Sequence, residues 1–432
     1  MSNYKFETLA LHAGQNKGGE DPSRAVSVAR TTAYNFRDTE HAANLFALKE
    51  LGYIYTRLQN PTQNTLEERL AALEGGVASL ALASGTSAVF YSIINLAVAG
   101  DEIVSSKYLY GGTYTMFNNI LPDYGINVRF VDPLDLDEIE AAINEKTRAV
   151  YIETIGNPAL IVPDFEAISE LAHKHRLPVI ADATFTTPYL LRPIDHGVDI
   201  VVDSLTKWIG GHGTGIGGAV VDSGKFDWKD PKFTTLNDPD DSYHGIRYAH
   251  DLGDLTPLAY ILRMRLVPLR NLGSAISPDN AWMFLQGIET LPLRMERHSE
   301  NALAVAEYLS KHPEVEWVNY PGLPGQRSYE NAKKYLKRGF GGMIVFGIKG
   351  GRPAGEEFIN SLELFSHVAN VGDAKSLAIH PASTTHSQLS EQQQRDAGLP
   401  PELVRLSIGL EHVDDIIADI DRGLKKAKTK AA

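Results

Sequence analysis

Cysteine is absent from this 432-residue chain. Its absence excludes disulfides, thiolate metal sites and a cysteine nucleophile. An excess of positive charge is also missing, because 54 Asp and Glu residues against 41 Lys and Arg residues give a formal net charge of −13. Proteins that bind nucleic acid usually carry the opposite balance, so we expect no nucleic-acid partner.

Long apolar runs are missing as well. No segment has the roughly 20 consecutive apolar residues that a membrane-spanning helix needs, and the N-terminal segment has no apolar core of signal-peptide length. The hydrophobic content of 43% and the charged content of 22% are ordinary for a globular protein. We therefore expect a cytoplasmic protein of two domains that makes no membrane contact.

Strand-like and helix-like segments alternate between residues 79 and 202. Short apolar runs, several of them with β-branched residues, predict strands at 79–83, 102–105, 128–131, 149–153, 178–181 and 199–202. Helices are predicted between several of them, at 88–98, 136–144 and 165–175. This alternation is typical of an α/β fold with a mostly parallel sheet covered by helices on both faces.

Lys207 follows the last of these strands and precedes a glycine-rich loop at 210–218. Ligands of open α/β sheets bind at the carboxyl ends of strands, and glycines allow a planar or phosphorylated group to approach the backbone. A lone lysine in a turn is more often a surface residue. Residues 213–218 also satisfy G-x-G-x-x-G, but they lead into a strand rather than a helix, so we reject a dinucleotide site.

Four other predicted strand ends carry polar or aromatic groups. They are Gly85 with Thr86, Tyr110, Asn157 and Asp182. Each has an ordinary structural alternative, such as a helix cap or a packed turn. Together with Lys207, however, the set matches one cofactor: a phosphorylated pyridine aldehyde held on a lysine as a Schiff base, with an acid at its ring nitrogen.

Five segments, SLTKWIGGHGT, ADATF, ETIGNP, YTRLQNPT and VRLSIGLE, together resemble the Cys/Met-metabolism family of pyridoxal-phosphate enzymes. The resemblance covers nearly the whole chain. It implies the PLP-dependent transferase fold type I, with a smaller α+β domain at the C-terminus. It also implies an arm at 1–60 that completes the neighbouring subunit's site, a large cofactor-binding domain at 61–280, and a linking helix with the C-terminal domain at 281–432.

The same resemblance implies which residues form the site. The catalytic residues would be Lys207, Tyr55 and Tyr110. Pyridoxal 5′-phosphate would be bound by Lys207, Asp182, Tyr55, Arg57, Gly85, Thr86, Tyr110, Asn157, Ser204 and Thr206. The substrate would be bound by Arg405, Ser376 and Asn157, with the arginine pairing bidentately with the substrate carboxylate.

Within the cofactor-binding set, the resemblance places Asp182 on the pyridine nitrogen, Tyr110 on the ring face and Asn157 near the phenolic oxygen. In the family, Tyr55 and Arg57 come from the neighbouring subunit. The resemblance therefore implies a dimer that builds each site, and a homotetramer made of two dimers.

Within the family, the chain is most similar to the O-acetylhomoserine sulfhydrylases. The similarity lies in the chain length, an acidic insertion at 226–255 and the segments SYHG and GDAKSLAIHPASTTH. It implies conversion of O-acetyl-L-homoserine and sulfide to L-homocysteine and acetate. Two alternatives stay open: a γ-elimination of the cystathionine or methionine γ-lyase type, and a sulfhydrylase that uses O-succinylhomoserine or a cystathionine γ-synthase. Methionine γ-lyases usually carry a cysteine in the segment that matches 110–113, where this chain has Gly112.

Three further predictions concern other segments. The insertion at 226–255 is long and polar, so it should be either functional or disordered. A helical stretch from Asp279 to Lys311 should link the domains, with Gly287 and Pro292 as kink points. No metal site is expected, because histidines 212, 380 and 386 do not form a helical pair with a nearby acid.

Overall fold

The computed structural model describes residues 4–15, 23–384, 392 and 398–431. Strands within these residues form two sheets. The strands are β1 (Ala78–Leu82), β2 (Glu102–Ser106), β3 (Asn127–Val131), β4 (Thr147–Glu153), β5 (Val179–Asp182), β6 (Ile200–Asp203), β7 (Gly218–Asp222), β8 (Val315–Asn319), β9 (Met343–Ile348), β10 (Ser366–His367), β11 (Leu377–Ile379) and β12 (Leu403–Ser407).

Helices surround both sheets. They are α1 (Phe6–His12), α2 (Thr39–Phe46), α3 (Pro61–Glu74), α4 (Gly85–Ile94), α5 (Gly111–Thr115), α6 (Leu121–Asp123), α7 (Leu136–Ala142), α8 (Phe165–Lys174), α9 (Thr187–Leu190), α10 (Thr234–Asn237), α11 (Ala259–Met264), α12 (Arg270–Leu272), α13 (Pro278–Glu289), α14 (Leu291–Leu309), α15 (Tyr329–Tyr335), α16 (Gly351–Asn360) and α17 (Val413–Ala431). Short 3₁₀ segments lie at Pro193–His196, Gly253–Leu258 and Pro381–Ser383, and π-helical segments at Met116–Ile120 and Arg265–Leu269. In the described part of the chain, every helix is too short or too polar to cross a membrane.

The large sheet has the strand order β1-β7-β6-β5-β4-β2-β3. The pairs from β6 through to β3 are parallel, whereas β7 runs antiparallel to both β1 and β6. Every residue of β2 and β7 is buried, as expected for strands covered on both faces. The predicted α/β fold with a mostly parallel central sheet is confirmed.

The parallel strands end along one edge of this sheet. β4, β5 and β6 end there in Glu153, Asp182 and Asp203, and Glu153 lies opposite Asp182 in the register. The segment with Lys207 leaves β6 at the same edge and returns through β7. The fold therefore gathers several ionisable groups in one place.

The smaller sheet has the order β10-β11-β12-β9-β8, and its pairs are antiparallel except for β10 with β11. Helices α16 and α17 pack against each other beside it. Val345 and Leu403 of this sheet belong to the same buried cluster as Val150 and Val201 of the large sheet. The two sheets therefore share part of one core, and the predicted smaller α+β unit at the C-terminus is confirmed.

The link between the sheets consists of α13 and α14, which are separated at Thr290. Pro292 occupies the first turn of α14, where its missing N–H is not needed. Gly287, by contrast, lies within α13, and a Cβ on it would lie 2.4 Å from the carbonyl oxygen of Ile209. It allows close approach to the Lys207 segment, and α13 continues beyond it to Glu289.

The insertion at 226–255 is packed rather than disordered. Trp228 stacks on Tyr260 with ring centroids 4.9 Å apart, and Phe233 and Tyr248 are buried in the same cluster. The hydroxyl of Tyr243 donates to the carbonyl oxygen of Phe46 at 2.7 Å, which ties the insertion to the end of α2. Buried aromatic side chains thus offset the polar composition that suggested disorder.

A buried acid pair joins the end of α3 to the end of β6. Glu74 and Asp203 are both fully buried, and within the described residues none of their four carboxyl oxygens has a hydrogen-bond donor. Burial raises the pKa of both groups; the charge of Asp203 adds to the rise at Glu74, and that of Asp182 to the rise at Asp203. Arg192 is the cation that opposes the rise at Glu74. Both raised pKa values favour a proton on the pair, and that proton would let one carboxyl donate a hydrogen bond to the other.

The pair predicts a pH dependence of stability that Asp203→Asn should reduce, because the variant loses the acid whose charge adds to the rise at Glu74. The unfolded chain loses a carboxyl proton near a pKa of about 4, whereas the folded pair keeps it to higher pH. Stability from the pair is therefore complete below the ordinary pKa and is lost as the pH rises through the raised pKa. Between about pH 5 and the raised pKa of Asp203 at about 8, the free energy of unfolding of the unaltered protein should fall more steeply than that of the variant, by up to about 1.4 kcal/mol per pH unit. Urea unfolding at stepped pH measures this, and parallel profiles would contradict it.

Candidate active site

A cavity of about 230 Å³ lies at the carboxyl edge of the large sheet, where β12 reaches it. Its wall brings together most of the predicted site residues, namely Gly85, Thr86, Tyr110, Asn157, Asp182, Ser204, Thr206, Lys207 and Arg405. Four larger cavities, of about 280 to 640 Å³, contain none of the predicted set. Chemical content, rather than size, therefore identifies the candidate active site.

Lys207 lies in the turn that follows β6. Its Nζ donates to Oδ1 of Asn370 at 2.6 Å. Burial and the positive charge of Arg405 lower the pKa of Lys207, so more of its amine is uncharged and able to act as a nucleophile or base. Arg294 from α14 holds this turn in place by donating to the carbonyl oxygens of Trp208 at 2.6 Å and Ile209 at 3.1 Å.

Asp182 faces the cavity from the end of β5. Its Oδ1 accepts the backbone N–H of Thr184 at 2.9 Å, and burial raises the pKa of its carboxyl group. No lysine or arginine of the described residues forms an ion pair with it. Its carboxylate is therefore available to a cationic group of a ligand, such as a protonated ring nitrogen.

An anion site lies beside it at the N-terminus of α4. Ser84 caps the helix by accepting the N–H of Ser87, and the N–H groups of Gly85 and Thr86 have no acceptor within the described residues. Free N–H groups at a helix N-terminus are suited to a phosphate. A Cβ on Gly85 would lie 2.6 Å from the Cβ of Ser204, so only glycine allows the helix start to meet the turn after β6.

Thr206 also lines the cavity, but its hydroxyl is already engaged. It donates to the carbonyl oxygen of Gly217 at 3.2 Å and accepts the N–H of Gly217 at 3.1 Å. These bonds tie the two ends of the glycine-rich loop together. In this arrangement the hydroxyl of Thr206 has no proton left to donate to a phosphate.

Tyr110 and Gly112 lie at the start of α5. The side chain of Tyr110 is 52% exposed and borders the cavity. A Cβ on Gly112 would lie only 2.5 Å from Cε1 of the Tyr110 ring. The ring thus occupies the space that any larger side chain at position 112 would need.

Arg405 enters the cavity from β12 of the smaller sheet. Unlike most arginines in the described structure, it has no carboxylate partner there. A buried guanidinium without a counter-charge is costly, and its planar fork matches a carboxylate. Arg405 therefore fits its predicted role of binding a ligand carboxylate.

Three predicted residues lie outside the cavity of their own chain. Tyr55 and Arg57 lie together on the arm, with the guanidinium 5.0 Å from the centroid of the tyrosine ring. Ser376 is fully buried; its hydroxyl donates to Oε2 of Glu411 and accepts the N–H of Gly409, both at 2.9 Å. Because those bonds hold the hydroxyl away from the cavity, the structure corrects the prediction that Ser376 holds the substrate.

Asn370 occupies the position that Ser376 was expected to fill. It borders the cavity with Ala369 and Val371 and accepts the Lys207 hydrogen bond. Gly372 follows it with a φ of 77°, and a Cβ there would lie 2.6 Å from the backbone nitrogen of Trp208. That glycine was the one signal in the sequence that the 369–372 turn packs against the lysine segment.

Of the histidines considered as metal ligands, His380 is buried and bonds through its two ring nitrogens to Ser383 Oγ and the Pro401 carbonyl oxygen. His212 bonds to the carbonyl oxygen of Gly210, and His386 lies outside the described residues. Over the described residues, no group of three potential metal ligands comes together.

The groups in the cavity wall fit pyridoxal 5′-phosphate. Lys207 offers an amine of lowered pKa, Asp182 a carboxylate without a protein cation, and the start of α4 two free N–H groups. These are the groups that an aldehyde, a pyridine nitrogen and a phosphate each require. The fit rests on unpartnered polar groups that converge on one space.

Comparison with known proteins agrees with this fit. The model of the family described as Cys/Met metabolism PLP-dependent enzyme matches residues 7–425. An O-acetyl-L-homoserine sulfhydrylase from Leptospira meyeri is 54% identical, covering 98% of this chain and 97% of its own. A homocysteine synthase from Schizosaccharomyces pombe is 52% identical, covering 98% of each chain.

A solved structure is also similar. The Campylobacter jejuni protein described as an O-acetylhomoserine (thiol)-lyase is 42% identical and superimposes with a TM-score of 0.93, covering 98% of this chain and 100% of its own. That crystal structure contains a lysine joined to pyridoxyl phosphate. On the match of the family model over nearly all residues and on these identities, the chain belongs to the Cys/Met-metabolism family of PLP-dependent enzymes.

Proposed function

We propose that this enzyme replaces the acetate group at the γ carbon of O-acetyl-L-homoserine with sulfide. The C–O bond to acetate breaks, a C–S bond forms, and the products are L-homocysteine and acetate. Homocysteine would then serve methionine biosynthesis, and we propose a cytoplasmic location for this step. The names of the relatives from Leptospira meyeri and Schizosaccharomyces pombe support this reaction.

The observation that carries the substrate assignment is the charge of the cavity wall. Its only cations among the described residues are Lys207 and Arg405, and two carboxyl groups, Glu153 and Asp182, face the same space. Arg405 would bind the α-carboxylate of the substrate. A succinyl leaving group or a cysteine nucleophile would bring a second carboxylate without a cation to meet it, which is unfavourable in a buried site. Acetyl and sulfide bring none.

The residues that would hold the cofactor follow from the geometry of the wall. Lys207 would hold it covalently, Asp182 would keep its ring nitrogen protonated, and Gly85 and Thr86 would donate backbone N–H groups to its phosphate. Ser204 and Thr206 would approach the same phosphate, with Thr206 first giving up its bond to Gly217. When bound, pyridoxal phosphate supplies an electron sink for negative charge that forms next to the substrate amine.

Lys207 would move the protons. Once the substrate amine has replaced it, the freed lysine amine can remove the α proton, give that proton up as an acid and, neutral again, remove a β proton; both protons would return to carbon after sulfide has added. Its lowered pKa suits this work because a base must be uncharged at the operating pH. Asn370 lies within hydrogen-bond distance of the same amine and can direct it toward the substrate. Tyr110 and Asn157 would contact the cofactor ring and its phenolic oxygen.

The site would be completed by a second subunit. Tyr55 and Arg57 lie outside the cavity of their own chain, so we propose that they reach the phosphate of the neighbouring subunit, in a dimer that pairs into a homotetramer. Tyr55 would also assist proton transfer around the substrate amine.

Product analysis tests the reaction directly. Purified, cofactor-loaded enzyme is incubated with O-acetyl-L-homoserine, with and without sulfide. We expect acetate and homocysteine to form only when sulfide is present, because capture of the γ-carbon intermediate needs a nucleophile. Chromatography of the products is the measurement. Ammonia and 2-oxobutyrate formed regardless of sulfide would instead indicate a γ-lyase.

Mixed oligomers test the shared site. Lys207→Ala and Arg57→Ala should each be nearly inactive alone. After mixed reassembly, each mixed dimer should contain one site with an intact lysine and an intact partner arm, which restores about a quarter of the activity of the unaltered enzyme. Activity assays after dissociation and reassembly provide the measurement. Recovery no greater than the sum of the separate variants would refute a site built by two chains.

Gly112→Ala tests the position of the Tyr110 ring. The new methyl group would lie 2.5 Å from Cε1 of the ring, so the ring must move. If the ring stacks on the cofactor, the affinity of the apoenzyme for pyridoxal phosphate should fall about tenfold, the loss of a contact of about 1.4 kcal/mol. Gly111→Ala is the matched control, since a Cβ there meets no atom within 4 Å. Equal affinities in the two variants would argue against stacking.

A further inference from the structure

Glu153 faces the cavity but has no part in the proton transfers described above. It is the last residue of β4, opposite Asp182, and only 7% of it is exposed. An acid so well buried needs hydrogen bonds to offset the loss of water. Its partners therefore show what it does.

Both oxygens of Glu153 accept backbone N–H groups from residues at the cavity. Oε1 accepts from Tyr110 at 2.6 Å, and Oε2 accepts from Asn157 at 3.2 Å. The two donors belong to different loops, which follow β2 and β4. One carboxylate thus connects the residue proposed to face the cofactor ring with the residue proposed to approach its phenolic oxygen.

Beyond the electrostatic interaction of Arg405 with Tyr110 and the contact of the ring with Gly112, few contacts of the described structure hold the Tyr110 side chain. Its ring makes no ring–ring contact there, and its hydroxyl makes no hydrogen bond. The backbone carbonyl oxygen of Tyr110 accepts the N–H of Tyr114 in the first turn of α5. The ring is therefore placed by the backbone of Tyr110, and the bond to Glu153 fixes the N–H of that backbone.

The two backbone donors act against the electrostatic surroundings of Glu153, whose pKa is raised overall. Burial, together with the charge of Asp182, raises the pKa of Glu153, whereas the N–H groups of Tyr110 and Asn157 lower it. These N–H groups are the donors that offset the cost of a carboxylate at this position. Both hydrogen bonds are needed to keep a negative charge on Glu153, because the negative charge of Asp182 lies beside it.

We propose that Glu153 is a positioning residue that sets Tyr110 and Asn157 together against pyridoxal phosphate. Its carboxylate has two acceptors and joins two loops, so it fixes their separation. The inference rests on the cofactor contacts proposed for those two residues. It concerns the binding and orientation of the cofactor rather than the choice of substrate.

The experiment compares Glu153→Gln and Glu153→Ala with a matched control. Glu67→Gln alters an acid that is equally buried and also accepts a backbone N–H, from Ala81 at 2.9 Å, but lies away from the cavity. The readouts are the dissociation constant of pyridoxal phosphate from the apoenzyme, the circular dichroism of the bound cofactor and the midpoint of thermal unfolding.

Glutamine keeps one acceptor and turns an amide N–H toward the second donor. Glu153→Gln should therefore weaken cofactor binding about tenfold and Glu153→Ala about a hundredfold, each with a smaller circular-dichroism band of the bound cofactor. Glu67→Gln should lower only the unfolding midpoint. The proposal is overturned if both Glu153 variants bind the cofactor with unchanged affinity and dichroism. It is also overturned if Glu67→Gln, at a similar loss of unfolding midpoint, weakens cofactor binding as much as the Glu153 variants do. None of these readouts requires turnover, so an error in the proposed reaction would leave them unaffected.

Discussion

Partly buried charge without an opposite charge of the protein is the constraint on which this site depends. Asp182 and Arg405 both face the cavity with no ion-pair partner in the described residues. Lys207 faces it too, and burial and the charge of Arg405 favour the neutral form of its amine. Each would be unfavourable in a closed core. A ligand that carries a cation and an anion at matching positions relieves both at once. The groups whose charge has no counterpart in the protein therefore determine which ligand the cavity can bind.

The architecture makes such a placement possible. Parallel strands end side by side, so Glu153 and Asp182 stand in register without any loop having to bring them together. The helix start at Gly85 meets the turn at Ser204 because glycine has no Cβ. Arg294 on α14 then fastens the backbone next to Lys207. The precision of the site comes from the packed scaffold and from hydrogen bonds to the backbone.

The parts that could be predicted from the sequence depend on local pattern. Short apolar runs predicted the strands of the large sheet to within one or two residues, because burial on both faces leaves few polar positions. The positions of Lys207 and Asp182 at the edge of the sheet could then be predicted too, because both lie where a predicted strand ends. Their roles on the cofactor came from family resemblance, which no pattern of spacing could replace.

The parts that could not be predicted depend on contacts between distant residues. Whether Ser376 or Asn370 faces the cavity is decided by Glu411, which holds the serine hydroxyl from 35 residues away. The insertion is ordered by aromatic packing against Tyr260, which its polar composition hides. The raised pKa values of Glu74 and Asp203 depend on two elements more than a hundred residues apart meeting in the core.

The cavity wall is divided between two sheets. The large sheet and its loops supply the lysine, the acid and the free N–H groups, whereas Arg405 on β12 and the 369–371 turn come from the smaller unit. Since these two parts of the wall lie far apart in the gene, mutation can alter one without altering the other. Descendants of one ancestor could therefore diverge in substrate through changes in the C-terminal third, while inheriting an intact apparatus for the cofactor.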